Sequence, residues 1–108
     1  MDLQPVVENE LRNAQAARDR GNEGQARVCA RRAAGTAIRD YLQRRGRAVR
    51  SPSSFDLLRL ISEDPTVPPA LRDSASRLIL RVDAEFRLPP EIDLIAEARK
   101  LCEGLAIL

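Results

Sequence analysis

The sequence contains no histidine and no tryptophan, and it has only three aromatic residues, two cysteines and one lysine. Without histidine the chain lacks the side chain that most often performs acid–base catalysis near neutral pH, and it lacks a usual zinc ligand. The aromatic residues Tyr41, Phe55 and Phe86 all fall on apolar helical faces. The sequence therefore offers no aromatic platform of the kind on which single-stranded nucleic acids stack.

Long apolar runs are also missing, since none approaches the ~18 residues that a membrane-spanning helix needs. The first residues show neither the basic nor the apolar segment of a signal peptide. Cys29 and Cys102 are expected to be small buried hydrophobic residues rather than a disulfide or zinc ligands. We therefore predict a cytoplasmic protein of one domain, residues 1–108, with no membrane partner, no metal and no cofactor.

Residues 24–45 are apolar on two sides if they form one helix. One stripe follows the helical spacing through Ala26, Ala30, Ala33, Ala37 and Tyr41. A second stripe, rotated away from the first, carries Val28, Gly35, Ile38 and Leu42. A helix that is apolar on two sides is usually packed between neighbours. We predict that this central helix is covered on the first stripe by other helices, and that the second stripe is a candidate surface for self-association.

Further helices are indicated before and after this stretch. The first is predicted over residues 5–20 and ends where Gly21 can take a left-handed cap. A short third helix begins at a Ser53 or Ser54 cap, the fourth spans residues 69–87, and the last begins near Glu91. The fourth helix has one apolar stripe, consisting of Leu71, Ala75, Leu78, Val82 and Phe86. With no alternating pattern typical of strands, the sequence predicts an all-α antiparallel four-helix bundle with one additional short helix.

Positive charge is concentrated in the middle of the chain. Residues 27–50 hold eight arginines and one acid, Asp40, which gives a local net charge of +7. A basic patch of this kind attracts phosphates or an acidic partner. The candidate anion or nucleic-acid contacts are Arg44, Arg45, Arg47, Arg50 and, further along, Arg87. The alternative is that these arginines pair with acidic residues elsewhere in the chain, and that Arg87 satisfies the last carbonyls of its own helix.

The order of these features resembles a HEPN-type domain. The likeness lies in residues 16–26, which are similar to the first helical hairpin of that family, and in residues 30–38 with Tyr41 and Leu42, which match its long second helix. Residues 86–89, Phe-Arg-Leu-Pro, resemble the junction before its last helix. The resemblance implies a small helical bundle that is usually dimeric. Some members are ribonucleases, and others accompany nucleotidyltransferases or bind nucleotides.

The ribonuclease members share an Arg-x(4–6)-His motif that this chain lacks. At those spacings Arg87 is followed by Ile92, Asp93 and Leu94. A carboxylate such as Asp93 would repel a scissile phosphate at neutral pH. We therefore expect a non-catalytic binding module, dimeric, with a possible nucleotidyltransferase or toxin–antitoxin partner. The alternatives are a divergent ribonuclease or nucleotide-processing enzyme, which would bind RNA or a nucleotide, and a TPR-like interaction module, although no 34-residue repeat is visible.

Overall fold

Five α-helices make up the described parts of the protein, a computed structural model in which residues 3–49, 53–80 and 92–108 are described. The helices are α1 Pro5–Asp19, α2 Glu23–Arg44, α3 Ser54–Ser62, α4 Pro69–Ile79 and α5 Leu94–Ala106. No strand occurs within these ranges. The all-α prediction is therefore confirmed.

Local signals set the ends of the first three helices. Gly21 adopts φ +78° after α1, as predicted, and Gly46 adopts φ +71° after α2. The Asn22 side chain accepts a hydrogen bond from the Gln25 N–H and caps α2. Ser53 likewise accepts from the Asp56 N–H at the start of α3. Each cap acts within a few residues of the chain, so α1 and α2 begin and end within one residue of their predicted bounds.

The last two helices differ from prediction. Helix α4 ends at Ile79, not near Arg87, because Leu80 already has the extended conformation with ψ 129°. Helix α5 begins at Leu94, since the Asp93 side chain caps it by accepting from the N–H groups of Ile95 and Ala96. Glu91 and the predicted continuation of α4, with Val82, Phe86 and Arg87, lie outside the described residues.

Helix α2 lies in the middle of the fold and contacts α1, α3 and α5. Its first stripe is buried as predicted, consisting of Ala26, Ala30, Ala33, Ala37 and Tyr41. Small side chains allow the neighbouring helices to approach α2 closely. The surrounding helices contribute larger residues, among them Leu11, Leu58, Leu78 and Leu101, which are fully buried. The core is therefore made of a small-residue central helix covered by leucine-rich neighbours.

Contacts between helix ends show how α1, α2 and α5 are oriented. Arg18, at the end of α1, pairs with Glu23 at the start of α2 and with Asp93 at the start of α5. At the other end of the molecule, Arg44 of α2 bonds the Leu105 carbonyl of α5. Helices α2 and α5 therefore run in the same direction. Helices α1 and α2 form an antiparallel hairpin. With α3 as the additional short helix, α5 is the fourth long helix, and in a bundle whose long helices alternate in direction the second and the fourth are parallel.

Candidate functional site

Arg44, the first candidate anion contact, is bonded within the chain. Its Nε donates to Asp40 Oδ2 at 2.9 Å. Its Nη1 and Nη2 donate to the backbone oxygens of Leu108 and Leu105 at 3.1 and 3.0 Å. The guanidinium thus satisfies carbonyl groups at the negative end of the α5 dipole. Arg44 is placed to hold α2 and α5 together rather than to present a free cation.

Arg47 and Arg45 have different environments. Arg47 pairs with Asp64 at 3.0 Å. The pKa of that carboxyl is lowered, chiefly by the hydroxyl and backbone N–H of Thr66 and further by Arg47. The Arg45 guanidinium lies over the ring of Tyr41, 5.1 Å from the ring centre, which is within the ~6 Å of a cation–π contact. Among the described residues Arg45 forms no ion pair.

Arg50 and Arg87 lie outside the described residues. The other three candidates, Arg44, Arg45 and Arg47, lie at the end of α2. Arg44 and Arg47 each pair with a carboxylate. Arg44 and Arg47 therefore pair with acidic residues of the same chain, Asp40 and Asp64, as in the second of the two alternatives.

Arg31 has a structural role that the sequence did not reveal. Its Nε donates to the Leu78 carbonyl at 2.8 Å and its Nη2 to the Leu80 carbonyl at 3.1 Å. The same guanidinium lies 5.0 Å from the centre of the Phe55 ring. Arg31 therefore caps the end of α4 from a different helix. Arg31 and Arg44 of α2 thus donate hydrogen bonds to carbonyl groups at the ends of α4 and α5, which are distant from α2 in sequence.

Three of the four self-association candidates are buried within a single chain. Ile38, Leu42 and Gly35 are covered, and an added Cβ on Gly35 would lie 2.5 Å from Ser54 Oγ at the start of α3. Only Val28, 39% exposed, reaches the surface. These three residues of the second stripe are thus packed inside the chain, and at Gly35 the neighbour is the start of α3. They are not open to a second copy.

Both cysteine side chains lie in the interior. Cys29 and Cys102 are free and buried, as predicted. Burial raises the pKa of the Cys102 thiol to about 12, so it is not a thiolate near neutral pH. In the described parts of the chain, no three His, Cys, Asp or Glu side chains are grouped to hold a metal ion. No described helix combines the length and hydropathy needed to cross a bilayer.

An apolar pocket opens where the start of α1 meets the end of α5. Its volume is about 330 Å³. Its apolar lining consists of Leu3, Val7, Ala37, Cys102, Ala106 and Ile107. Gln4, Asp40 and Arg44 form its polar side. We call this cavity the α1/α5 pocket.

Two of the residues that line the α1/α5 pocket are also exposed to solvent. Ile107 is 70% exposed and Leu108 is 37% exposed. Val6, 53% exposed, precedes the lining residue Val7 in α1. Sequence reasoning missed this surface, although Val6 next to Val7, and Ile107–Leu108 after the last helical stripe, were apolar residues without a place in the predicted core.

Comparison with known proteins found no match among family models, curated proteins or solved structures.

Proposed function

We propose that the chain is a non-catalytic helical binding module of the HEPN type, and that it acts by associating with protein, in the first instance with a second copy of itself. The observation that carries the proposal is the apolar α1/α5 pocket, two of whose lining residues, Ile107 and Leu108, are exposed. The HEPN assignment draws its support from the order of motifs in the sequence and from the α1–α2 hairpin. A nucleotidyltransferase or toxin–antitoxin partner is the further extension that this resemblance implies.

A binding role fits the chemistry of the described side chains better than an enzymatic one. The chain has no histidine, and the Cys102 thiol is protonated at neutral pH because burial raises its pKa to about 12. Asp93, at the position where a ribonuclease relative would carry a catalytic residue, caps α5 and pairs with Arg18. The Asp93 carboxylate therefore has a structural role at the start of α5.

Nucleic-acid binding is less well supported than protein binding. Each phosphate neutralised on a single strand contributes about −0.7 to the slope of log K against log salt, so four free arginines would give a slope near −3. Arg44 and Arg47 already pair with carboxylates. We therefore expect any RNA binding to be weak, with a slope shallower than about −1.5.

Two measurements on the purified chain test the proposal. Sedimentation equilibrium at micromolar concentration should give a species of twice the 12.0 kDa chain mass. Filter binding to labelled single-stranded RNA across a salt series, followed by gel analysis of the RNA, should show weak binding and no cleavage. A steep slope that is lost when Arg44, Arg45, Arg47 and Arg50 are changed to Gln would favour RNA as the partner. Cleavage that Arg87→Ala eliminates would establish an enzyme instead.

A further inference from the structure

We propose that the chain has a separate binding site for a small aliphatic zwitterion, that is, a free amino acid or a short peptide with both termini charged. The site is a pocket between the end of α2 and the turn that joins α3 to α4, and we call it the Arg45 pocket. It is lined by Tyr41, Arg45, Arg47, Leu60 and residues 63–66. Its volume of about 580 Å³ lies within the ~300–1,000 Å³ of pockets that hold small molecules. It shares no lining residue with the α1/α5 pocket, so the proposal does not depend on self-association.

Arg45 offers the pocket a cation that is held in place. Its guanidinium lies 5.1 Å from the centre of the Tyr41 ring and, among the described residues, forms no ion pair. Tyr41 is 2% exposed, so the ring beneath the guanidinium is fixed in the core. An arginine fork binds a carboxylate through two parallel N–H···O bonds. The Arg45 side of the pocket therefore favours a ligand carboxylate.

Tyr41 supplies a second donor at the same wall. Within the described ranges its hydroxyl has no hydrogen-bond partner, although a tyrosine hydroxyl buried to this degree usually has one. The fully enclosed side-chain atoms that lack a partner in the described structure are Glu10 Oε2 and Ser74 Oγ. The Tyr41 hydroxyl is not among them, so it keeps contact with solvent, and Tyr41 lines the Arg45 pocket. A carboxylate that accepts from this hydroxyl and from the Arg45 fork would satisfy both groups.

The negative charge of the pocket comes from Glu63. This residue is the C-cap of α3, is exposed, and forms no ion pair with another described residue. Arg47 and Asp64 also line the pocket, but they pair with each other at 3.0 Å. The other oxygen of Asp64 accepts from the backbone N–H and the hydroxyl of Thr66. One positive and one negative charge of the lining are therefore left without a partner in the part of the chain described.

This pattern of charge favours a zwitterion over a simple anion. A ligand with only a carboxylate would share the pocket with the like charge of Glu63, and a phosphate with nearly two negative charges would be repelled more strongly. An ammonium group on the ligand replaces this repulsion by attraction. Complementary charges of both signs thus decide which small molecule is preferred.

Leu60 gives the pocket an apolar side. It is 40% exposed on α3, whereas its neighbours Leu58 and Ile61 are fully buried. Leu60 and Pro65 line the pocket together. A ligand side chain that covers them removes apolar surface from water, which favours binding. The preferred zwitterion therefore carries an aliphatic side chain.

Isothermal titration calorimetry of the whole chain tests this site. Leucine, alanyl-leucine and alanyl-alanyl-leucine are titrated first, because they place the two charges at increasing separations, and the tightest binder is carried forward. Its N-acetylated form lacks the ammonium group and its C-terminal amide lacks the carboxylate. The wild-type chain should bind the unmodified probe at least about tenfold more tightly than either modified form, as expected when a charged hydrogen bond is lost.

Two variants assign the two charges to residues. Arg45→Gln should weaken binding of the probe by about tenfold or more and abolish the discrimination against the amide. Glu63→Gln should likewise abolish the discrimination against the acetylated form. Tyr41→Phe keeps the ring that positions Arg45 and should weaken binding several-fold without loss of stability in urea, because the hydroxyl it removes is unpartnered in the described structure. Circular dichroism shows that the helices of each variant are intact.

The matched control is Arg20→Gln. Arg20 is the C-cap of α1, as Arg45 is of α2, and it is exposed but does not line the pocket. This variant should bind the probe as the wild-type chain does.

Three results would overturn the proposal. The first is the absence of saturable binding by all three probes at millimolar concentration. The second is a wild-type chain that binds a modified form as tightly as the unmodified probe, because the site would then not recognise both charges. The third is binding that Arg45→Gln and Glu63→Gln leave unchanged, which would place the ligand elsewhere. Self-association is measured separately by sedimentation, so failure here leaves it standing.

Discussion

Gly35 offers a sharp test of the packing between α2 and α3. An added Cβ there would lie 2.5 Å from Ser54 Oγ, 3.2 Å from Ser54 Cβ and 3.4 Å from Ser54 Cα. Rotation of the serine hydroxyl relieves the first contact. The second contact, with the Cβ of the first residue of α3, requires that residue to move by a few tenths of an ångström, whereas the third is at an ordinary van der Waals distance. Gly35→Ala should therefore strain the contact between the two helices.

The size of the effect follows from two opposing contributions. Replacing a helical glycine by alanine contributes about 0.5–1 kcal/mol of stability. Overpacking a close contact costs about 1–3 kcal/mol. We expect Gly35→Ala to lower the free energy of unfolding by between about 0 and 2.5 kcal/mol on balance. For a chain of this size each kcal/mol corresponds to roughly 4 °C in Tm.

Gly24→Ala is the matched control in the same helix. Its added Cβ would meet only Asn22 Oδ1, at 3.9 Å. This variant should be stabilised by about 0.5–1 kcal/mol, because it gains helix propensity without a clash. Urea denaturation monitored by circular dichroism measures both variants. The double variant Gly35→Ala/Ser54→Ala should recover little of the loss, since it removes the hydroxyl, which can rotate away, but keeps the Cβ of residue 54. If Gly35→Ala were as stabilising as Gly24→Ala, the described contact between α2 and α3 would be wrong.

Two further predictions follow from the same packing and from the ion pairs. Ala33→Leu should lower the free energy of unfolding by about 1–3 kcal/mol because Ala33 is fully buried. Ala37→Leu should leave the free energy of unfolding in urea nearly unchanged, because Ala37 lines the α1/α5 pocket. Equal losses in the two variants would contradict this difference. The pKa of Asp93 lies below its ordinary 3.8. Burial raises this pKa, but hydrogen bonds from Arg18 and from two N–H groups of α5 lower it by more. The pKa of Glu23 is lowered chiefly by its hydrogen bond from Arg18. A lowered pKa contributes stability that is present above the unfolded value and lost as the pH falls through the folded value, so the free energy of unfolding should decline below about pH 4. Asp93→Asn keeps a helix cap and should make that decline shallower, which a series of urea titrations against pH would measure.

Association through the apolar α1/α5 pocket and phosphate binding by the arginines should differ in their dependence on salt. The affinity of an apolar contact should be nearly independent of salt, whereas that of phosphate binding falls steeply as salt rises. A salt series therefore distinguishes the two modes before any partner is identified.

The sequence alone determined the helices and most of their ends. The alanine stripe of α2, the left-handed Gly21 and the Ser53 cap act over a few residues, and the chain's 3.6-residue periodicity records which side of each helix is apolar. These signals are local, so the bounds of α1, α2 and α3 could be read without knowing what packs against them. The burial of Cys29 and Cys102 followed from the same periodicity.

Only the tertiary structure decided which apolar face meets which neighbour. The stripe that carries Ile38 and Leu42 is covered by the same chain, and α5 runs parallel to α2. Arg31 donates to carbonyl groups at the end of α4, and Arg44 donates to carbonyl groups at the end of α5. In each case the bonded residues are more than 40 positions apart in sequence. Periodicity shows that a face is apolar and composition shows that a segment is charged. Neither states the partner, because burial and ion pairing depend on how helices distant in sequence are arranged in space.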